Sequence, residues 1–205
     1  MSLRHAILGF LALRPMSGYD LKRAFDTSVR HFWSADQAAI YRALAELETA
    51  RLVEHERITQ TARPDRKLYQ ATKAGRAALD AWLRERTPPV PRREPLLVKL
   101  FFAGPLGAGT IRQMLDAERV QVDEELGAFA AYVHVMRERV AAAGEDERTM
   151  LLGPLLTLTN GVRLGVAYRD WLASLSAMAL RGTLTSEVLL EDLQQTLGVA
   201  RGDSE

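Results

Sequence analysis

The sequence predicts a mainly α-helical chain in two parts, the first carrying a small β-hairpin, and three observations predict it. At a helical 100° per residue, Ala43, Leu44 and Leu47 fall within about 60° of Ile40, the pattern of a helix that buries one face. Directly afterwards, Val53–Gln60 and Lys67–Thr72 alternate and are rich in β-formers, around Thr61-Ala62-Arg63-Pro64-Asp65-Arg66 with its turn-forming Pro-Asp pair. Beyond Thr87-Pro88-Pro89-Val90-Pro91, whose prolines favour an extended linker, apolar residues recur every seven positions. A helix running into a hairpin is the order of a winged helix-turn-helix. We therefore expect three helices plus a two-stranded wing over residues 1–86, and an all-helical, coiled-coil-like dimerisation domain over residues 92–197.

Each element has its own signal. Leu3, Ile7 and Phe10/Leu11 recur at helical spacing and stop at Pro15. Ser17 is a good N-cap for a second helix with Leu21, Phe25 and Val29 as its buried stripe. On the third helix, Ser34, Ala38, Tyr41, Arg42 and Ala45 cluster opposite the core face. The two alanines let another backbone approach, and Gln37 and Tyr41 flank them with hydrogen-bonding tips. An ordinary solvated face holds the same residue types, so the helix alone decides nothing. The hairpin breaks the tie, because Arg63, Arg66 and Lys67 give its loop a basic tip that can lie along a minor groove or phosphate ridge. Glu54 and Glu56 on the first strand oppose phosphate, so the tip rather than the flank is the expected contact. Thr72 then caps a helix through Ala74, Leu79, Trp82 and Leu83.

In the second half, Pro95–Phe102 is a short apolar helix ending at Gly104-Pro105. From Thr110 to about Ala143, Leu115, Val122, Phe129 and Met136 repeat every seven residues, with Leu126, Val133 and Val140 offset by four. Such a seam needs a partner helix in the same or another chain. A third helix, about Met150 to Met178, supplies part of one through Leu151, Leu155, Leu158, Val162 and Leu172, while Thr157, Gly161 and Gly165 permit close packing. Homodimerisation is the expected purpose. The tail from Gly198 is expected to fray.

Composition narrows the classes. The 205 residues are 47% hydrophobic and 26% charged, ordinary for a globular protein, and hold no cysteine, which excludes disulfides and thiolate metal sites. No signal peptide is evident, and the most apolar run, Met150–Val162, is short for a membrane span and meets Arg163, so a soluble cytoplasmic protein without membrane association is expected. Residues 1–86 carry 15 basic against 10 acidic side chains, a net of +5, and the rest carry 12 against 16, a net of −4. That asymmetry fits a polyanion-facing module on a separate helical one. His5, His31, His55 and His134 are scattered without metal-ligand spacing. Gly104, Gly107 and Gly109 lack the Gly-Lys-Ser/Thr of a phosphate loop, and no GxSxG is present. An enzyme, a metal and a cofactor are all unexpected.

Three stretches, AILGFLALRPMSGYDLKRAF (6–25), FWSADQAAIYRALAELETARLV (32–53) and RKLYQATKAGRAALDAWL (66–83), together resemble the PadR family of transcriptional regulators. The family pattern runs a first helix into "SGY", places an aromatic pair before "iY.aL..Le..GLv", and continues as "k.Y.lT..G...L..WL". The second half is similar to the helical C-terminal domain of longer-tailed members, mainly in length and in LLVKLFFAG (96–104). The resemblance implies a dimeric repressor on a pseudo-palindromic double-stranded DNA operator, released when a small effector binds. By position, it puts Tyr19 on a phosphate, Gln37, Ala38, Tyr41 and Arg42 in or beside the major groove with Ser34 nearby, and Arg63, Arg66 and Lys67 on the wing. One departure stands out. Where the family has glycine before "LV", this chain has Arg51, which costs roughly 1 kcal/mol if the position needs a positive φ.

An effector pocket is expected between the two parts, where Trp33 and Trp82 meet helices of the second half, near Tyr168. A small aromatic or acidic effector would find Arg163 or Arg169 for its anionic group. The rival reading is a helical adaptor whose winged helix binds protein instead of DNA. Sequence-specific, salt-sensitive DNA binding separates the two.

Overall fold

The computed structural model describes residues 2–29, 32–58, 66–86 and 93–198. The chain divides into two compact units, Met1–Val90 and Pro91–Glu205.

The first unit opens with α1 (Ser2–Leu13), then α2 (Gly18–Ala24), which continues into one wider helical turn, Phe25–Val29. Ser17 caps α2 in a full capping box. Its hydroxyl accepts the Asp20 amide at 3.2 Å, and the Asp20 carboxylate accepts the Ser17 amide at 3.1 Å. The third helix, α3 (Gln37–Thr49), starts at a cap absent from the expectations: Asp36, whose carboxylate accepts the Ala39 amide at 2.6 Å. Because that cap sets the first turn, Ser34 lies in the extended segment before α3 and not on its face. Ile40, Ala43, Leu44 and Leu47 are buried together with Ile7, Leu11, Leu21 and Phe25 in one core. Val29 packs on its edge.

Helix α3 ends as a left-handed cap. The Leu52 amide donates to the Leu47 carbonyl and the Arg51 amide to the Glu48 carbonyl, both at 2.9 Å, which is a Schellman closure. Arg51 sits at φ 56°, the one non-glycine residue with positive φ among the described residues. Its side chain is exposed, so nothing offsets the backbone cost. Arg51→Gly is expected to stabilise the protein by about 1 kcal/mol and raise the melting temperature without altering the spectrum of the folded state. A lower melting temperature would show that the left-handed turn is not strained.

Strands β1 (Val53–Ile58) and β2 (Arg66–Ala71) pair antiparallel, from Val53 opposite Ala71 to Ile58 opposite Arg66. The connector between α1 and α2 adds a short third edge. Met16 and Tyr69 exchange both backbone hydrogen bonds at 2.9 Å, anchoring the wing's root to the core. Helix α4 (Lys73–Arg84) is capped by Thr72, whose hydroxyl accepts the Gly75 amide at 3.0 Å. Its inward residue is Gly75 rather than the exposed Ala74. Leu79 packs on the core, whereas Leu83 is exposed.

The second unit comprises α5 (Pro95–Phe102), a single 3-10 turn at Gly104–Leu106, α6 (Gly107–Ala142), α7 (Glu145–Arg181) and α8 (Ser186–Leu197). Helices α6 and α7 form a long antiparallel hairpin, so the seven-residue seam closes within the chain. Leu115, Val122 and Leu172 lie in one buried cluster, and Met136, Ala143, Leu151 and Leu158 in another. The phase departs from the expectation at one step. Val133 faces out, and Tyr132 takes its place. The departure is local, because Met136 and Val140 of the same repeats still pack in the seam. Gly165 is the close-approach point: a Cβ there would fall 3.0 Å from Leu126 Cδ2.

The third helix runs well beyond Met150–Met178 at both ends. By length and composition alone α7 is long and apolar enough to cross a membrane, a property it shares with the core helices of water-soluble proteins. Its apolar side is only partly used in the hairpin. Leu152, Leu156 and Leu180 are exposed.

Candidate nucleic-acid interface

The exposed face of α3 carries Gln37, Ala38, Tyr41, Arg42 and Ala45, spaced so that all five lie along one side. Arg42 has no ion-pair partner among the described residues. The next charged residue, Glu46, is drawn towards Arg4 of α1 at 3.8 Å. The Tyr41 ring is half exposed and lies directly over Gly18, where an added Cβ would fall 2.6 Å from Cε1 and Cζ. This explains the glycine that follows the Ser17 cap: α2 and α3 cross with a backbone under an aromatic ring, and no side chain fits between. Tyr19, the next residue, is 67% exposed at the start of α2. Thus the α2 start and the α3 face form one surface of phenol, amide, guanidinium and small residues. It combines hydrogen-bonding tips with room for close approach, as groove reading requires.

The wing stands beside it. Lys67 is exposed on β2, and Glu54, on the flank of β1, is occupied by Gln70 Nε2 at 2.8 Å. Arg63, at the expected tip, lies outside the described residues. Arg66 is the first residue of β2, and its guanidinium is ion-paired with the Asp20 carboxylate of the capping box. Partial burial alone would raise the Asp20 carboxyl, but Ser17 and the Arg66 guanidinium together hold it below the usual carboxylate range. On the other side of α3, His55 Nδ1 of β1 contacts the Glu48 carboxylate and packs obliquely on Tyr69. The wing is thereby tied to α2 through Arg66 and to the end of α3 through His55. Sequence reasoning missed both ties: Asp20 and Arg66 are 46 positions apart, and Glu48 and His55, though only 7 apart, meet across the turn that joins α3 to β1.

The residues expected to hold an effector fall in both units. In the first, Trp33 is partly exposed just after the wide turn, and Trp82 stacks flat on His5 at 4.5 Å. In the second, Tyr168 stacks on Trp171 at 5.6 Å, Arg163 is exposed, and Arg169 is engaged by neighbouring Asp170 at 2.8 Å. Tyr168 Oη is buried without a hydrogen-bond partner among the described residues. Burial, followed by the Glu118 and Glu94 carboxylates and by hydrogen bonding towards Glu118, pushes its ionisation up, so the hydroxyl stays protonated at neutral pH. The Glu118 carboxylate is thus the nearest candidate acceptor for this hydroxyl. No cluster of three or more metal-ligating side chains occurs among the described residues.

Comparison with known proteins follows the same division of the chain. Residues 7–81, which span α1 to most of α4, match the transcriptional regulator PadR-like family, and residues 92–178 match the virulence activator alpha C-terminal family. A probable transcriptional regulator of Mycobacterium tuberculosis is 32% identical over 182 residues, covering 84% of this chain and 94% of that protein. The chain belongs to the PadR-like family of transcriptional regulators. The negative transcriptional regulator PadR of Bacillus subtilis is 25% identical over 181 residues, covering 86% of this chain and 96% of its own. Two crystal structures of that regulator share the fold. The complex with operator DNA superposes with a TM-score of 0.76 at 24% identity, over 87% of this chain and 99% of the other. The complex with p-coumaric acid gives 0.69 at 26%, over 86% and 94%. The mainly helical winged architecture with long C-terminal helices is therefore that of the family.

Proposed function

We propose that this regulator is a homodimeric, sequence-specific repressor that leaves its operator when a small aromatic or acidic molecule binds. The observation that carries the reading is the exposed α3 face, with Gln37, Ala38, Tyr41 and Arg42 beside a basic wing. In this reading those four residues enter the major groove, and Ser34 and Tyr19 meet phosphates flanking it. Arg63, Arg66 and Lys67 follow the adjacent backbone or minor groove. The relative from Bacillus subtilis, a negative regulator seen with operator DNA, supports the direction of control.

Dimerisation is supported by what the second unit leaves uncovered. With the seam of α6 and α7 closed within the chain, Leu190, Leu193 and Leu197 of α8 remain exposed, as do Leu152 and Leu156 of α7. A second copy that covers such faces would set two recognition helices about 34 Å apart, one turn of DNA. The protein would act in the cytoplasm, by occluding a promoter and without catalysis.

For the effector, the p-coumaric acid complex of the relative supports a phenolic or otherwise acidic aromatic ligand. Arg163 is the cation we assign to its carboxylate, since Arg169 is already paired. Tyr168, stacked on Trp171 of the same helix, would supply an aromatic contact. Selection from a random duplex library tests the whole reading. Enrichment of an inverted repeat with half-sites one turn apart, released by phenolic acids, is expected. An unenriched pool would favour the protein-binding adaptor and contradict the proposal.

A further inference from the structure

The Asp20–Arg66 pair joins residues 46 positions apart, from the capped start of α2 to the outer end of β2. Asp20 is committed several times over. Its Oδ2 accepts the Ser17 amide at 3.1 Å and the Ser17 hydroxyl at 2.8 Å, and also receives the Arg66 guanidinium. The capping box restrains the carboxylate, because moving it would release the Ser17 amide and hydroxyl that donate to it. Besides the His55–Glu48 contact of β1, the wing is fixed to the helix-turn-helix at two points along β2. Backbone pairing of Met16 with Tyr69 secures its root, and the Asp20 carboxylate secures the outer end of β2, where Arg66 faces Ile58. The same pairing neutralises a basic side chain at the edge of the candidate DNA surface.

We propose that Asp20 is a specificity-determining residue: it fixes the wing's offset from α3 and withholds the charge of Arg66 from indiscriminate phosphate contact. Arg66 keeps further N–H donors beyond the one given to Asp20, so it still meets a phosphate presented at the correct offset. Two consequences oppose each other in an informative way. Losing the carboxylate charge frees one cation, which tightens binding to any DNA and steepens its salt dependence by about 0.9 in log–log slope. It also loosens the wing, so the operator gains less than random DNA does. The ratio of operator to random-sequence affinity falls while absolute affinity for random sequence rises. A purely structural role would weaken both alike, and a purely electrostatic one would strengthen both alike.

This inference rests on the DNA-binding reading, so its test begins without DNA. Hydrogen exchange is measured on the full chain and on Asp20→Asn, which keeps an acceptor for the Ser17 amide. Amides of Ile58, Arg66 and Leu68 should exchange roughly two- to fivefold faster in the variant, the range of a partly exposed ion pair. Amides of Met16 and Tyr69 should be unchanged. Unchanged protection at the outer wing overturns the proposal. Competition of the selected operator against random duplex then reads the ratio, which should fall at least threefold, with steeper salt dependence for the random duplex. A ratio equal to that of the parent overturns the specificity role. Faster wing exchange in a parent protein that prefers no DNA sequence would uphold the wing anchor and refute the operator reading instead. The double variant Asp20→Asn/Arg66→Gln returns the net charge to the parent's. It should keep the fast exchange and the low ratio, and restoration of either would assign the effect to charge alone.

Discussion

Gly75→Ala is expected to destabilise the first unit by about 3 kcal/mol, lowering its melting temperature by roughly 15 °C. A Cβ at this position would fall 2.0 Å from the Leu52 carbonyl oxygen and 3.2 Å from Leu8 Cδ2. The closest atom is backbone and cannot swing aside. It also accepts the Thr72 amide at 3.1 Å, so displacing it breaks the bond that seats the capped start of α4. Relief would require α4 to slide off α1 and the wing root together, with loss of the Leu79 packing. Gly127→Ala is the matching control. It lies within α6 with nothing within 4 Å of the added methyl and should be neutral or stabilise by up to about 1 kcal/mol. Equal effects from the two substitutions, followed by thermal denaturation, would refute the close-approach account.

The other large effect is on binding. Tyr41→Ala is expected to weaken operator affinity by about 10- to 100-fold, the loss of a base or phosphate contact worth about 1–3 kcal/mol. Much of the ring is exposed, so the cost to folding should be modest, about 1 kcal/mol for the part that covers Gly18. Gly18→Ala approaches the same residue from below. Its methyl meets the outer ring atoms of Tyr41, which can rotate away. The fold should survive while the ring leaves its place on the interface. Fluorescence anisotropy against the operator, with melting curves alongside, separates these effects. Both variants binding as tightly as the parent would remove Tyr41 from the interface.

What could be read from the sequence follows the range of the interactions. Ser17 as a cap, the buried set Ile40, Ala43, Leu44 and Leu47, and the span Pro95–Phe102 depend on neighbours within one or two turns, and all three stand in the structure. The strained φ of Arg51 was legible because glycine is the ordinary residue at such a cap. Asp36 was a missed cap of the same local kind, and that is why Ser34 was placed on α3. Helix α8 was missed although its signals are local: Thr185 caps it, Gly198 closes it at φ 65°, and Leu190, Leu193 and Leu197 keep helical spacing. The Met16–Tyr69 pairing, the Asp20–Arg66 ion pair and the Tyr41–Gly18 contact lay beyond any periodicity, because each joins segments brought together only by the core. The interface residues are of this second kind in part. Their side of α3 was legible, whereas the ties that orient the wing against that side were not.

Whether the α3 face and wing read a specific DNA sequence is decided by a gel shift of the purified protein on the DNA just upstream of its own coding region, at two salt concentrations. A discrete complex is expected that survives excess random competitor and weakens steeply as salt rises, since neutralised phosphates release counterions. A smear that random competitor abolishes at both salt concentrations, repeated on duplex recovered by selection, would contradict sequence-specific reading.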